Sequence, residues 1–222
     1  MGGLTDISQT KYPIFSEFSI IVLTLLFNVC LYTTVVISVI ICCEVQISSF
    51  RVFYSLNHSF KNILESNGLS KNDLSKITTV FQRSSKIVRT ANGCYSPIAF
   101  VLIGYYAFGM SYIVSKLVDQ YKDSTIEYIY SVGWIIQCFT HFVLLVLTSS
   151  CVDAEMLKSQ NMMLMANSDA AAHVLLSTSR LVSCRNESIL KPLGAFKLEK
   201  SFILVFLGAI VSYEVMILPF LR

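Results

Sequence analysis

The sequence predicts an all-α membrane protein with four transmembrane helices that continue as long helices on the cytoplasmic side. Hydrophobic residues make up 54% of the 222 residues and charged residues only 14%, and the mean hydropathy is +0.63. A soluble domain carries about 25% charged residues. The charges are also clustered, since none lies between Phe18 and Cys43. This pattern excludes an ordinary cytosolic enzyme, a disordered chain and a disulfide-rich secreted domain.

Four segments are apolar enough to cross a bilayer, whose hydrocarbon core of about 30 Å needs roughly 20 helical residues. They are residues 18–43, 96–117, 128–150 and 201–221. The first is too long for the core of a signal peptide, and Lys11 is the one basic residue ahead of it. We therefore interpret all four as transmembrane spans of a single membrane domain.

Basic residues predict the orientation of these spans, because Lys and Arg concentrate in cytoplasmic loops. Residues 44–95 hold seven of the 17 Lys and Arg residues, and residues 151–200 hold six. These two loops are predicted to be cytoplasmic. Residues 1–17, 118–127 and 222 are then extracellular, with both termini outside. The net charge of +3 is a signal of topology and does not indicate a nucleic-acid partner.

Cysteines and glycosylation sequons agree with this topology. Every cysteine falls inside a span or at the cytoplasmic side, so we expect no disulfide framework. Sequons for N-glycosylation begin at Asn57 and Asn186. Both lie on the predicted inner side, so we predict that neither is glycosylated.

The predicted cytoplasmic loops have helical patterns. Apolar residues recur at helical spacing over 45–64 and again over 69–88, and Gly68 separates the two runs. This pattern predicts a helical hairpin in which spans one and two extend below the membrane. The second loop contains a methionine-rich stretch and an amphipathic helix candidate over 170–181, and Pro192 prevents its continuation. We interpret these stripes as helix–helix packing, with an in-plane surface helix as the weaker alternative.

Signatures of enzyme chemistry are missing from the sequence. The histidines His58, His141 and His173 lie far apart and have no acid at ligand spacing, and there is no Cys-x-x-Cys, HExxH, GxSxG or glycine-rich phosphate loop. We therefore predict no catalytic residue, no metal site and no cofactor, and we rank a membrane enzyme last.

Span three carries polar residues that are costly in lipid and usually face a helix bundle or a watery cavity. Gln137 and His141 are four residues apart and share a helix face with Trp134 and Thr148. We take Trp134, Gln137 and His141 as a candidate ligand pocket. Interhelical hydrogen bonding, worth about 0.6 kcal/mol per contact, explains the same pattern, and both interpretations stay open.

Span four has two distinct faces. One is an apolar stripe interrupted by a carboxylate, as a narrow pore with hydrophobic constrictions requires. Its candidate pore-facing residues are Leu207, Ile210, Glu214 and Ile217. The other face carries Gly208 and Ser212, a pair of small residues that permits close helix packing. Periodicity alone supports a packed bundle at least as well as a pore.

The end of span four resembles the C-terminal motif of arthropod gustatory receptors. That family closes with Thr-Tyr, five mostly apolar residues and Gln-Phe, and this chain has Ser212-Tyr213, five residues and Pro219-Phe220. Ser replaces Thr, Pro replaces Gln, and Glu214 is a charged residue among the five. Residues 50–57 also resemble the family's stretch below its fourth span. The resemblance covers essentially the whole chain and corresponds to the C-terminal half of the family.

This resemblance implies the last four helices of a seven-helix chemoreceptor that forms a tetrameric, ligand-gated cation channel in the plasma membrane. The last span would line the pore, the cytoplasmic helices would anchor the subunits, and the partners would be the lipid bilayer, other receptor subunits in a homo- or heterotetramer, and a small tastant. The family's ligand pocket includes earlier helices, so we expect an incomplete sequence with three further spans upstream, a truncated paralogue, or a subunit that works only in a heteromer. The alternative is a four-span accessory or non-conducting subunit that assembles with full-length receptors.

Overall fold

The computed structural model describes residues 13–67, 71–119, 125–166 and 190–217, and these residues are almost entirely helical. The helices are α1 (Pro13–Asn67), α2 (Lys71–Asp119), α3 (Thr125–Ala166) and α4 (Lys200–Ile217), with a short 3-10 helix (Pro192–Gly194) ahead of α4. This confirms the all-α prediction for the described residues. The chain divides into two compact units, residues 1–38 and residues 39–222.

The structure contains the two helices predicted for the helical hairpin. Helix α1 continues to Asn67 and α2 begins at Lys71, and Phe53 of α1 packs against Phe81 of α2. Helix α2 also passes through Pro97 without ending. At about 1.5 Å per residue, its 49 residues extend far beyond a hydrocarbon core of about 30 Å. The cytoplasmic side of this extension stays a prediction.

Three described helices, α1, α2 and α3, contain segments long and apolar enough to cross a membrane. The fourth predicted span, 201–221, is described only as far as Ile217. The count of four spans therefore stays a prediction, and the chain is a helical membrane protein.

The first unit is the N-terminal part of α1. The hydroxyls of Thr33 and Thr34 donate hydrogen bonds of 2.7 and 2.8 Å to the carbonyls of Val29 and Cys30, one helical turn earlier. Such bonds satisfy a hydroxyl within its own helix, which suits an apolar surrounding that offers no other acceptor.

The extensions of α1, α2 and α3 pack around one apolar core in the second unit. Its buried residues are Phe53, Phe60, Ile77, Phe81, Val88, Val152, Met156 and Met163. The rings of Phe53 and Phe81 lie 5.8 Å apart. The packing interpretation of the apolar stripes is thus confirmed for these residues, although Met165 is 76% exposed. The helix candidate over 170–181 lies outside the described residues.

Buried amides connect the same three helices. The Gln46 amide donates to the Asn92 side chain at 2.8 Å, joining α1 to α2. The Asn57 amide donates to the backbone carbonyl of Glu155 at 3.0 Å and to its carboxylate at 2.6 Å, joining α1 to α3. Ser159 donates a further hydrogen bond to the Asn57 side chain. Because buried polar groups are costly without partners, these bonds fix how the helices pair.

A single hydroxyl fastens the segment before α4 to α2. Ser96 donates to the carbonyl of Lys191 and accepts from the backbone N–H of Leu193, both at 2.7 Å. The chain turns sharply at the end of this contact, with φ of 47° at Leu193 and 73° at Gly194. A left-handed φ is uncommon for a residue with a side chain, and the Ser96 bonds hold Leu193 in it.

Candidate functional site

Helix α3 presents Trp134 to α2 in a closely fitted contact. The Trp134 ring packs edge-on against Tyr105, with ring centroids 6.1 Å apart. The same ring lies over Gly109, where an added Cβ atom would overlap it. Gly109 is therefore the notch in α2 that receives the indole ring.

His141 lies two turns further along α3, beside Tyr106. The two ring centroids are 6.3 Å apart. Tyr106 is fully buried, and its hydroxyl has no hydrogen-bond partner among the described residues. A buried hydroxyl without a partner is uncommon and is a group that a small polar molecule could bind. The sequence analysis did not select Tyr106, because a tyrosine in an apolar span is usually interpreted as a residue that packs against other helices.

The structure brings Trp134 and His141 together on the face of α3 that meets α2, and Gln137 between them is partly buried. Thr148 shares this face, but its hydroxyl donates to the Leu144 carbonyl at 2.9 Å. The common face predicted for these residues therefore packs against the chain's own helices. A ligand pocket at Trp134, Gln137 and His141 stays a prediction.

Helix α4 is held to α3 by aromatic stacking near its start. The ring of Phe142 on α3 stacks on Phe206 at 4.0 Å and lies 6.0 Å from Phe202, both on α4. Phe202 also stacks at 4.5 Å on Phe196, in the segment before α4. These contacts fix the rotation of α4 about its own axis. They therefore determine which of its two faces turns toward α2 and α3.

The two faces of α4 have different surroundings within the chain. Leu207 and Ile210 are partly buried and Glu214 is buried at 6% exposure, so the candidate pore-facing stripe lies toward the chain's own helices. The small-residue face is open: Gly208 and Ser212 are exposed, and no described atom lies within 4 Å of a Cβ placed on Gly208. The side chain of Ile217 and the whole of Phe220 lie outside the described residues.

Glu214 has a partner that the sequence did not indicate. Ser115 of α2 donates a hydrogen bond of 3.0 Å to one of its carboxylate oxygens. The other oxygen, Oε1, is buried and has no hydrogen-bond partner among the described residues. The Glu214 carboxylate thus lies between α2 and α4, where the Ser115 hydroxyl is within hydrogen-bond distance. A pore-facing role for Glu214 stays a prediction.

The motif residues at the end of α4 lie on its outer surface. Tyr213 is 51% exposed, and Ser212 beside it is exposed. Neither side chain is buried by the helices of this chain. The role of the motif in a pore helix stays a prediction.

Comparison with known proteins identifies one family and no curated relative. The family model described as the 7tm chemosensory receptor matches residues 3–220, which is nearly the full chain. No curated protein matches the chain.

Proposed function

The chain belongs to the 7tm chemosensory receptor family, and we propose on this basis that it is a gustatory-receptor-like subunit of a ligand-gated cation channel for taste or related chemical detection. A chemoreceptor role and a membrane location follow from the family and from the long apolar helices. Channel activity, the taste modality, the plasma membrane and the external termini belong to the proposal.

The observation that carries the channel proposal is the open face of α4. Its exposed residues are Leu204, Val205, Gly208, Val211, Ser212, Val215 and Met216. Small residues spaced four apart allow membrane helices to approach closely. A channel built around the last helices of several subunits needs such a face. We expect it to contact other subunits in a homo- or heterotetramer.

The core below the predicted membrane region supports an anchoring role for the helical extensions. Phe53, Phe81 and Met156 come from three different helices and are all fully buried, so the extensions form a packed body of their own. In the proposal, this body holds the subunits together on the cytoplasmic side while α4 moves.

The pore-lining face of α4 can be identified by cysteine substitution in the assembled channel. We propose Leu207 and Ile210 as pore-facing residues, with Val205 and Val211 as matched positions on the other face. The variants L207C, I210C, V205C and V211C are expressed with a full-length receptor of the family and treated with a water-soluble thiol reagent. Current block confined to L207C and I210C is expected, and block confined to the other pair reverses the assignment.

The Glu214→Gln variant tests the carboxylate in the same assay. We expect altered cation conductance or selectivity if Glu214 contributes to the ion path. Unchanged permeation would make Glu214 a packing residue, in agreement with its contact to Ser115.

The second candidate function is an accessory or non-conducting subunit. It is favoured by the burial of the candidate pore-facing residues. Leu207 and Ile210 are partly buried and Glu214 is buried against the chain's own helices, so little of their surface is left to line a pore. Co-purification with a full-length receptor, with no current in any subunit combination, would support the accessory role over the channel. Ligand-evoked current that changes when this chain is co-expressed would support the channel.

The candidate pocket would receive the tastant. We propose Trp134, Gln137 and His141 as its residues, together with the Tyr106 hydroxyl, which has no hydrogen-bond partner in the described part of the chain. The expected partner is a small molecule with at least one hydrogen-bonding group, because the rings of Tyr106 and His141, which both carry polar atoms, lie 6.3 Å apart there.

A further inference from the structure

A groove runs along the seam between α2 and α4. The groove exists because the side chains along it are small: Ala107 and Ser111 on α2 and Ala209 on α4. Its volume is about 200 Å³. The exposed aromatic side chains of Phe108 and Tyr213 also line it. Its lining is otherwise apolar, so a slender hydrocarbon chain fits it better than a polar solute.

The two helices run side by side in a fixed register. Ser115 bonds Glu214, 99 positions later in the chain. Ser111 and Ile210, both in the groove, lie one helical turn before this pair on the same faces. The groove therefore leads along the seam toward the Ser115–Glu214 contact, which is the next turn of both helices.

The carboxylate beyond the groove has unused hydrogen-bonding capacity. Glu214 is only 6% exposed, and its Oε1 atom has no hydrogen-bond partner among the described residues. A carboxylate accepts several hydrogen bonds, and a buried one is costly unless it is paired. The described part of the chain supplies no ion pair to Glu214, so a cation from outside the chain is the chemistry that would complete it.

We propose that this seam binds a cationic amphiphile, with the alkyl chain in the groove and a primary ammonium group at Glu214. The ammonium donates to Oε1, and the Ser115 hydroxyl remains on the other carboxylate oxygen. Because Oε1 is covered in the structure, binding includes a rotation of the Glu214 side chain toward the groove.

The predicted topology gives such a molecule a natural orientation. Both α2 and α4 run outward through the membrane, so Ser115 and Glu214 lie nearer the outer surface than Ala107 and Phe206. An amphiphile entering from the outer leaflet would place its charged group outward and its chain inward, as amphipathic groups do at membrane interfaces. This site is separate from Trp134, Gln137 and His141, and it does not depend on whether the chain conducts ions.

Binding of radiolabelled decylamine and decanol to the full chain in phosphatidylcholine nanodiscs tests the proposal. The two probes share the alkyl chain and differ in the charged group. We expect decylammonium to bind at least tenfold more tightly than decanol, after subtraction of the signal from empty nanodiscs. Equal affinities would overturn the assignment of the ammonium site.

Three variants locate the site. Glu214→Gln removes the charge with little change in shape and should abolish the preference for decylammonium while decanol still binds. Ala209→Leu fills the groove and should weaken both probes. Glu199→Gln, an exposed acid just before α4, is the matched control and should change neither. Preserved helical content by circular dichroism shows that each variant is folded, and an amine preference that survives in Glu214→Gln would contradict the proposal.

Discussion

The helical extensions and the predicted spans of this chain share one kind of polar contact and differ in another. In both regions threonine hydroxyls donate to carbonyls one turn earlier in their own helix, as Thr79 and Thr90 do in the extensions and Thr34 and Thr140 do in the predicted spans. In the extensions, buried amides also join separate helices, since Gln46 bonds Asn92 and Asn57 bonds Glu155. A hydroxyl can thus be satisfied by its own helix, whereas these amides find their acceptors on a second helix.

The extensions and the predicted spans also differ in the forces that determine how their helices pack. The extensions bury a cluster of apolar side chains from three helices, to which Phe53 and Phe81 belong, as expected where water drives apolar side chains together. In the spans, lipid is as apolar as the side chains and shape decides instead. The insertion of Trp134 over Gly109 is such a shape-determined contact. The Ser115–Glu214 bond adds interhelical polar bonding to the spans.

The largest effect is expected from breaking the amide link in the extensions. Asn57→Leu leaves the Glu155 carboxylate and the Ser159 hydroxyl without their bonds to Asn57, which costs about 2–4 kcal/mol for buried groups of this kind. Thermal unfolding of the detergent-solubilised chain, followed by circular dichroism, measures this loss. Asn62→Ala is the control, since Asn62 is exposed and its hydrogen bond among the described residues is to His58, one helix turn earlier. Equal melting temperatures for both variants would contradict the role of Asn57.

A smaller effect is expected from filling the notch in the spans. Gly109→Ala forces the Trp134 ring to move, and overpacking of this type costs about 1–3 kcal/mol. Trp134 is the single tryptophan, so its fluorescence reports the displacement directly. Gly104→Ala is the matched control, because a Cβ at Gly104 meets no described atom within 4 Å. An unchanged emission spectrum in Gly109→Ala would show that the indole ring does not depend on the notch.

The smallest effect is expected at the junction between the two regions. Ser96→Ala removes the two bonds that hold Lys191 and Leu193, at a cost of about 1–2 kcal/mol confined to this segment. Hydrogen exchange should increase at the Leu193 amide and stay unchanged in α1. Ser55→Ala, an exposed serine on α1, should leave exchange at Leu193 as it is. Faster exchange throughout the chain would mean that Ser96 has a global role.

The sequence predicted the helices and the stripes of the extensions well. The spacing of Phe53, Phe60 and Phe81 was sufficient, because burial against water imposes a periodicity that a single chain displays. Gly68, the one glycine between the two periodic runs, also predicted two separate helices, and α1 ends at Asn67 and α2 begins at Lys71.

The contacts of the spans could not be predicted in the same way. Periodicity placed Glu214 on a helix face but said nothing of the neighbour, and only the structure pairs it with Ser115. The sequence likewise contained Gly109 and Trp134 without indicating that one receives the other. A helix sequence defines its own faces, whereas a contact also depends on the register between two helices. The left-handed turn at Leu193 was unpredictable for a related reason, since a bond from Ser96 of α2 holds it.

The two serines of α2 have a joint consequence for the position of α4. Ser96 holds the segment that leads into α4, and Ser115 holds Glu214 near its far end. Their separation along α2, at about 1.5 Å per residue, is about 28 Å, which is close to the thickness of a hydrocarbon core. The position of α4 along the membrane normal is therefore set by α2. Insertions or deletions in the chain between α3 and Leu190 would leave that position unchanged.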